Sequence, residues 1–564
     1  MTDAKHSGAL MRTAAIRYHP SGFKFERERP MGLHAANVGF LGGFAASISE
    51  GERVYCYARS AADADDFAAR LGELGAPRGT PVEHIALTAV EQLAKPGCLY
   101  VPAPVLGSSA WHRRHVGNRQ YSLCGVTHTM SSARAMDAVI DYLVAPVQRW
   151  DALVCTSTAI KSMVERMLEQ MADYLVARVG ARPVMPVGLP VIPLGVDSRV
   201  YAAAVEGVSR QGYRAQHGIA DNDVVILFLG RLSAHSKAHP TPMFLALERA
   251  QRASGKNIVL LLVGWFHNDA TRDGFAAAAG TLMPSVRVLT LDGKDAAVRA
   301  GAWRAADIFV SLVDNIQESF GLTPLEAMAS GLPCVVSDWD GYRDNVVDGE
   351  TGFLIPTVMP PPGAGQDLAI AHALEVENHD VYVARSSQAI SVDIEAAAAA
   401  IARLAGDEAM RIRMGAGGRR RAAEHYDWRI VISQYRQLWA ELAELRRSAD
   451  EMAPRTAAQA PWPAREDPFA LFAGFGSGRI EPGCRILAAD RSPLGAFERL
   501  TRVPLSVIDG SLLVDAEAVM RQLEGAPRGL AIEGDGSRHE ARERGPMLRA
   551  MAWLAKLGLV KIVR

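Results

Sequence analysis

The sequence predicts an α/β protein with two doubly wound domains in tandem and a small accessory unit behind them. Three observations predict it. The chain has 564 residues, too many for one hydrophobic core. Short apolar runs alternate with helical patterns twice over, in residues 13–200 and again from residue 201. An Ala/Pro/Arg/Glu-rich stretch then sets the last hundred residues apart.

Residues 1–12 are polar and read as a loose terminus. The first domain, 13–200, carries the runs Arg53-Val-Tyr-Cys-Tyr-Ala58, Cys98-Leu-Tyr-Val-Pro102, Ser122-Leu-Cys-Gly-Val-Thr127 and Ala152-Leu-Val-Cys-Thr156. Such runs suit strands of a parallel sheet covered by helices on both faces. The domain closes at Pro190-Val-Ile-Pro-Leu-Gly-Val-Asp197.

The second domain with its terminal helix spans 201–447. Strands are expected at Val224–Leu229, Ile258–Val263, Val286–Leu291, Ile308–Leu312 and Cys334–Ser337. From Trp428 to about Arg447, Ile430, Val431, Tyr435, Leu438 and Leu442 recur at helical spacing, which predicts an amphipathic helix that packs back across both domains. Residues 448–467 read as a linker. Residues 468–564 form an accessory unit, ending in a helical Met547–Leu557 and a strand-like Leu559–Val563 that suit a small α/β or winged-helix-like appendage.

Composition narrows the function. The net charge is −1, whereas tracking nucleic-acid phosphates takes a broad basic excess, so no nucleic-acid partner is expected. Cys56, Cys98, Cys124, Cys155, Cys334 and Cys484 have no Cys-x-x-Cys spacing and mostly lie in apolar runs. They read as reduced, buried thiols of a cytoplasmic protein, with no zinc site. No signal peptide or membrane-spanning run is evident, which leaves peripheral contact with the inner face of a membrane open.

Chemistry concentrates in Glu318-Ser-Phe-Gly-Leu-Thr-Pro-Leu-Glu326. Thr323 suits an N-cap and Pro324 the first helical position, so the loop offers free N–H groups and a positive helix end beside two acids. That arrangement can hold a phosphate and the hydroxyls of a sugar or ribose. A capping box between Thr323 and Glu326 explains the second acid equally well. The position after a predicted strand, at the carboxyl edge of a parallel sheet, favours the ligand.

Other segments are weaker. Gly230-Arg231 and Lys237 place two cations after a strand, as a phosphate site or as a solvated loop. Asn37-Val-Gly-Phe-Leu-Gly-Gly43 reads as a glycine loop near a diphosphate or as a plain tight turn. His128 follows a strand as a ligand contact or a structural histidine. Asp338-Trp-Asp340 resembles a metal motif, but Asp338 suits the end of a strand better. The basic run Arg411–Arg421 reads as a solvated helical face or a contact for anionic lipid. Trp111-His-Arg-Arg-His115 reads as a surface loop or part of an acceptor pocket.

In order, Gly39–Gly43, His128, Pro193-Leu-Gly-Val-Asp197, Gly230-Arg231 with Lys237, and Glu318–Glu326 resemble the retaining glycosyltransferases of family 4 (glycosyl transferases group 1). The resemblance covers roughly 13–447. It implies the GT-B fold of two facing Rossmann-like domains with a crossing helix. It implies that Glu326 holds donor ribose hydroxyls and that Glu318, with the Phe320, Gly321 and Leu322 N–H groups, contacts the transferred sugar. Arg231 and Lys237 would neutralise the leaving diphosphate, approached from the other domain by Gly42 or Gly43. Gly230 would border it, His128 would sit by the sugar ring, and Leu291–Lys294 would meet the base. Three features depart from the family pattern: Lys237 follows Arg231 by six residues rather than five, Asp340-Gly-Tyr-Arg-Asp344 lacks a glutamate after its glycine, and 468–564 has no counterpart.

The implied activity is retaining transfer from a UDP- or GDP-linked sugar to a glycan, lipid or small-molecule hydroxyl, as in polysaccharide biosynthesis, with no metal or other cofactor. Rival readings are an epimerase or glycan phosphorylase of the same fold, or a non-catalytic sugar-binding scaffold. The appendage leaves room for a homo-oligomer or a partner.

Overall fold

The computed structural model describes residues 13–23, 32–456, 459–507, 510–534 and 537–564; the terminus 1–12 lies outside them. The chain divides into two compact units, Met1–Trp462 and Pro463–Arg564.

The larger unit contains two parallel six-stranded sheets. The first comprises β1 (Ala15–Arg17), β2 (Val54–Ala58), β3 (Val82–Ala86), β4 (Cys98–Val101), β5 (Ser122–Val126) and β6 (Ala152–Val154), in the order β3-β2-β1-β4-β5-β6. The second comprises β7 (Val224–Leu232), β8 (Ile258–Phe266), β9 (Arg287–Asp292), β10 (Ile308–Ser311), β11 (Cys334–Ser337) and β12 (Gly352–Ile355), in the order β12-β11-β10-β7-β8-β9. Both sheets have the doubly wound order whose direction reverses between the first and fourth strands, the point where ligands enter such sheets. This is the GT-B architecture of two Rossmann-like lobes. All nine strands expected from the sequence form. β1, β3 and β12 are additional: β1 has only three residues, and β3 reads Val-Glu-His-Ile-Ala, without the continuous apolar run of a strand buried on both faces.

The helix Trp428–Ser448 returns from the second lobe to the first, as expected. Trp428, Val431, Ile432, Tyr435, Leu438, Trp439 and Leu442 join the first-lobe core beside Phe40, Phe44 and Tyr100. The phenol of Tyr435 and the ring of Phe40 meet edge to face at 5.2 Å.

This packing corrects the reading of Asn37–Gly43. The segment is not a loop; it lies inside the helix Gly32–Ala46. A β-carbon on Gly39 would lie 2.5 Å from the Trp428 indole nitrogen, and one on Gly43 would lie 2.6 Å from the Trp428 Cβ. These glycines let two helices approach closely, and their N–H groups are mid-helix rather than open to a diphosphate. A β-carbon on Gly42 would instead lie 3.7 Å from the aliphatic tip of Leu74, an ordinary contact.

Two further expectations change. Trp111-His-Arg-Arg-His115 is not a surface loop but the end of the helix Leu106–Arg114 and its cap. Arg113 is fully buried in an ion pair with Asp151 at 2.6 Å. Arg114 donates to the carbonyls of Ala460 and Pro461 at 3.1 Å, and Trp111 stacks on Trp462. Much of the expected linker is therefore fixed to the first lobe, because Asn118 also binds Glu451 and Gln148 binds the Met452 carbonyl. The division between units falls after Trp462.

In the smaller unit Arg485–Ala488 lies between Leu530–Ala531 and Val560–Val563 in an antiparallel sheet. Helices separate these strands in sequence, and Phe497, Val519, Met520 and Leu554 fill the core. Among the α/β and winged-helix-like alternatives, this is a plain α/β unit.

Alanine for glycine inside a helix ordinarily stabilises by about 0.5–1 kcal/mol. Gly42→Ala should follow that rule, whereas Gly43→Ala should lower the thermal unfolding midpoint. Equal responses from the two variants would refute the contact with Trp428.

Candidate active site

The second sheet reverses direction between β7 and β10, and the loops leaving these two strands carry the cations and acids singled out in the sequence. Arg231 sits near the end of β7 and Lys237 in the turn beyond it. Glu318 lies in the loop after β10, and Glu326 lies in the helix Leu322–Ala329 that follows.

Lys237 Nζ and Glu318 Oε2 form an ion pair at 2.5 Å, with each side chain about one-sixth exposed (16% and 15%). Burial alone would lower the Lys237 pKa, but the adjoining Glu318 carboxylate overrides it and holds the ammonium well above its ordinary range. Burial likewise works against the Glu318 carboxylate, yet Lys237 and the N–H groups of Ser319 and Phe320 keep its pKa below the usual value. Both groups are thus charged at neutral pH. Arg231 donates weakly to the Ser236 carbonyl, at 3.4 Å. Burial lowers its pKa, and the charges of Glu318 and Asp380 oppose the shift. Gly230 precedes it in β7, where a β-carbon would lie 3.4 Å from the Lys237 chain.

The acidic loop is held by side chains the sequence reading did not single out. Asn315 Nδ2 donates to the Lys237 carbonyl at 2.6 Å, while its Oδ1 accepts the N–H groups of Gln317 and Glu318. Asn345, fully buried, donates to the carbonyls of Phe320 and Gly321 at 2.8 and 3.1 Å. Isolated asparagines leave no periodic trace in sequence; only the fold brings these two to the loop.

The helix begins at Leu322, earlier than the expected Thr323 cap. Gly321 is its N-cap, and no side chain caps it. The capping box between Thr323 and Glu326 therefore does not form. Gly321 has φ of +89°, and a β-carbon there would lie 2.0 Å from the Tyr342 ring, so glycine alone fits the turn. Pro324 remains within the first turn, where helix N–H groups lack intrahelical acceptors. Freed from capping, Glu326 hydrogen-bonds Tyr201; burial raises its pKa, and Tyr201, Arg299 and Lys237 oppose that shift.

From the first lobe, His128 follows β5. Burial pushes its pKa down to about 4, so it is neutral at pH 7. Its Nε2 is buried without a hydrogen-bond partner. The lobes touch near this point: Thr158 N and Oγ1 each donate to the Asp344 carboxylate at 2.7 Å, Ser157 Oγ donates to Asp340 at 3.3 Å, and Ser131 hydrogen-bonds His379 at 3.0 Å. Leu291–Lys294 ends β9, where Arg299 donates to the carbonyls of Gly293 and Lys294. The structure thus brings Arg231, Lys237, Glu318, Phe320, Gly321 and Leu322 together, with Glu326 on the same helix. It leaves Gly42 and Gly43 in the interior of another helix.

Asp338 pairs with Arg343 at 2.9 Å just beyond the end of β11, as its strand-ending role requires. Among the described residues, no three His, Cys, Asp or Glu side chains are placed to share a metal ion, and no helix is long and apolar enough to cross a membrane. All six cysteines are buried free thiols.

Residues 209–360, which contain β7–β12 and both acids, match the family model of glycosyl transferases group 1. Relatives over part of the chain include a phosphatidyl-myo-inositol mannosyltransferase of Mycobacterium tuberculosis, 31% identical over 45% of this chain and 54% of its own length. A D-inositol 3-phosphate glycosyltransferase of Corynebacterium efficiens is 27% identical over 49% of this chain and 56% of its own. The chain spans about half the length of these curated relatives. Among solved structures, Anabaena HepE in complex with UDP and glucose resembles 77% of this chain and 99% of its own at 16% identity, with a TM-score of 0.47. A Rickettsia africae glycosyltransferase matches 76% and 98% at 11% identity, with a TM-score of 0.48.

Asp314, buried beside this site, accepts the His239 N–H, and burial raises its pKa to about 7. The folded state keeps this proton between about pH 4 and 7, where the unfolded chain has released it. Its stabilising contribution is complete below about pH 4 and disappears as pH rises through 7. Asp314→Asn should therefore raise the unfolding midpoint at pH 8 by about 2–4 °C and flatten its fall between pH 5 and 8. Parallel pH curves for the two proteins would refute this assignment.

Proposed function

We propose that the protein is a retaining, metal-independent glycosyltransferase of family 4 that moves a sugar from a nucleotide-diphosphate donor to an acceptor hydroxyl. The observation that carries this reading is the buried Lys237–Glu318 pair beside Arg231 and the N-terminus of the Glu326 helix, at the switch point of a doubly wound sheet. Cleavage at the anomeric carbon develops positive charge on the sugar and negative charge on the departing diphosphate. Arg231, Lys237 and the first-turn N–H groups of the helix that starts at Leu322, which no side chain caps, are preorganised for the negative charge. A Lys237 bound to that diphosphate keeps its charge, because Glu318 holds it protonated.

Glu318 and the adjacent N–H groups take the sugar hydroxyls, and Glu326 takes the ribose. Neutral His128 offers its unpartnered Nε2 to the sugar ring from the opposite lobe. The acceptor attacks from the leaving-group face, and a diphosphate oxygen takes its proton. Closure of the lobes around the donor keeps water out. Because relatives are named for mannosyl transfer to phosphatidyl-myo-inositol and for transfer to inositol 3-phosphate, mannose donors and inositol-bearing acceptors head the panel.

Thermal shift against UDP-, GDP- and ADP-sugars identifies the donor, since a ligand at 100 times its Kd adds about 2.7 kcal/mol. With that donor, Arg231→Ala and Glu326→Ala should each lower transfer by about 10²-fold or more. Full activity in either variant would refute the site. Product formed without an acceptor would point to an epimerase, and silence across the whole panel to a binding protein.

A further inference from the structure

The helix Glu408–His425 has two different sides. Gly415 and Gly418 press against Gly331 and Met328, at the end of the helix that carries Glu326. Arg413, Arg420 and Arg421 line a surface cavity of 510 Å³, together with Arg403 from the preceding helix. The lining holds two carboxylates, Glu350 and Glu424, against these four guanidinium groups. Among the described residues none of the four arginines has a carboxylate within 4.0 Å, although ion pairs are plentiful elsewhere on the chain. Arg231, Lys237, Glu318 and Glu326 are all absent from the lining, so this cavity is separate from the candidate active site.

We infer that this cavity is a binding site for a multiply charged phosphate group. Guanidinium forks match phosphate oxygens bidentately and stay charged at any physiological pH, and a cluster of them that outnumbers the neighbouring acids attracts a multivalent anion far more than a monovalent one. Arg403 is held over the Phe353 ring at 5.6 Å, which orders one side of the cavity. Arg421 is fixed on the other side, donating at 2.8 Å to the carbonyls of both Asp344 and Asn345. Those two residues reach the cross-lobe contact at Thr158 and the acidic loop at Phe320 and Gly321. The site thus lies directly behind the loop that carries Glu318. The phosphate can arrive on a soluble ester or as the phosphomonoester headgroup of a lipid, and both present a terminal phosphate able to carry two charges.

Full-length protein titrated with inorganic triphosphate tests the soluble source. Flotation with phosphatidylcholine vesicles, with and without phosphatidic acid, a phosphomonoester lipid, tests the lipid source. Arg413 and Arg420 are exposed, so Arg413→Glu with Arg420→Glu leaves the core intact, which circular dichroism checks. Binding of at least one probe should weaken about tenfold or more in this double variant and persist in Arg231→Ala. Hydrogen exchange should slow in 347–353 and 408–425 on binding. Response to triphosphate assigns a soluble ligand; response only to phosphatidic acid vesicles assigns a headgroup. Binding of neither probe, equal binding by the double variant, or protection confined to 230–237 would overturn the inference.

Discussion

The side chain of Trp428 occupies the space that β-carbons of Gly39, Gly43 and Gly195 would need. One side chain from late in the chain thereby locks onto the first-lobe helix Gly32–Ala46 and onto the segment that connects the lobes. The neighbouring backbone tightens the same point. Val196 N donates to the Tyr426 carbonyl, Trp428 N donates back to Val196, and Asp427 accepts from Ser198 at 2.5 Å. The two passages of the chain between lobes are therefore laced side by side. Such a pair of adjacent crossings permits rotation of one lobe against the other about this point while resisting their separation.

Against that frame, the candidate site belongs mainly to one lobe. The cations of the β7 end and the acids beyond β10 share a switch point, and Asn315 and Asn345 satisfy the loop that joins them. Leaving out either asparagine would orphan buried carbonyls or N–H groups, each a cost of about 1–3 kcal/mol. The lobes meet at the N-terminus of the first-lobe helix Thr158–Val179, where Thr158 donates to the Asp344 carboxylate, and His128 of the first lobe has a buried Nε2 without a hydrogen-bond partner. Charge is fixed in one lobe and approached by the other.

Much of this was legible. Apolar runs such as Ile258–Val263 and Cys334–Ser337 are continuous because parallel strands are buried on both faces, so they stand out by composition. Glu318 and Arg231 stood out because each follows a predicted strand at the carboxyl edge of a parallel sheet, where ligands bind in such folds. What escaped detection depends on distant partners. Gly39 and Gly43 imitate a phosphate loop because a glycine that admits a ligand and a glycine that admits an indole look alike in sequence. The Thr323 cap was outcompeted by Gly321, whose left-handed turn against Tyr342 starts the helix earlier. The Pro/Ala-rich stretch after Ser448 has a linker's composition, but Arg114, Asn118 and Gln148 hold its backbone and side chains.

The return of Trp428–Ser448 into the first-lobe core also bears on how the chain is made. Val431, Ile432, Tyr435, Trp439 and Leu442 complete a layer over Phe40, Phe44 and Tyr100, whose own segments are synthesised more than three hundred residues earlier. Domains ordinarily fold in the order of their synthesis. Here the first lobe emerges from the ribosome with one apolar face uncovered, and the entire second lobe must be translated before that face can close. The second lobe has no such debt, since its sheet and covering helices are contiguous. The lobe made last can therefore be the first to reach its native packing, with the earlier one waiting on a helix that its successor delivers.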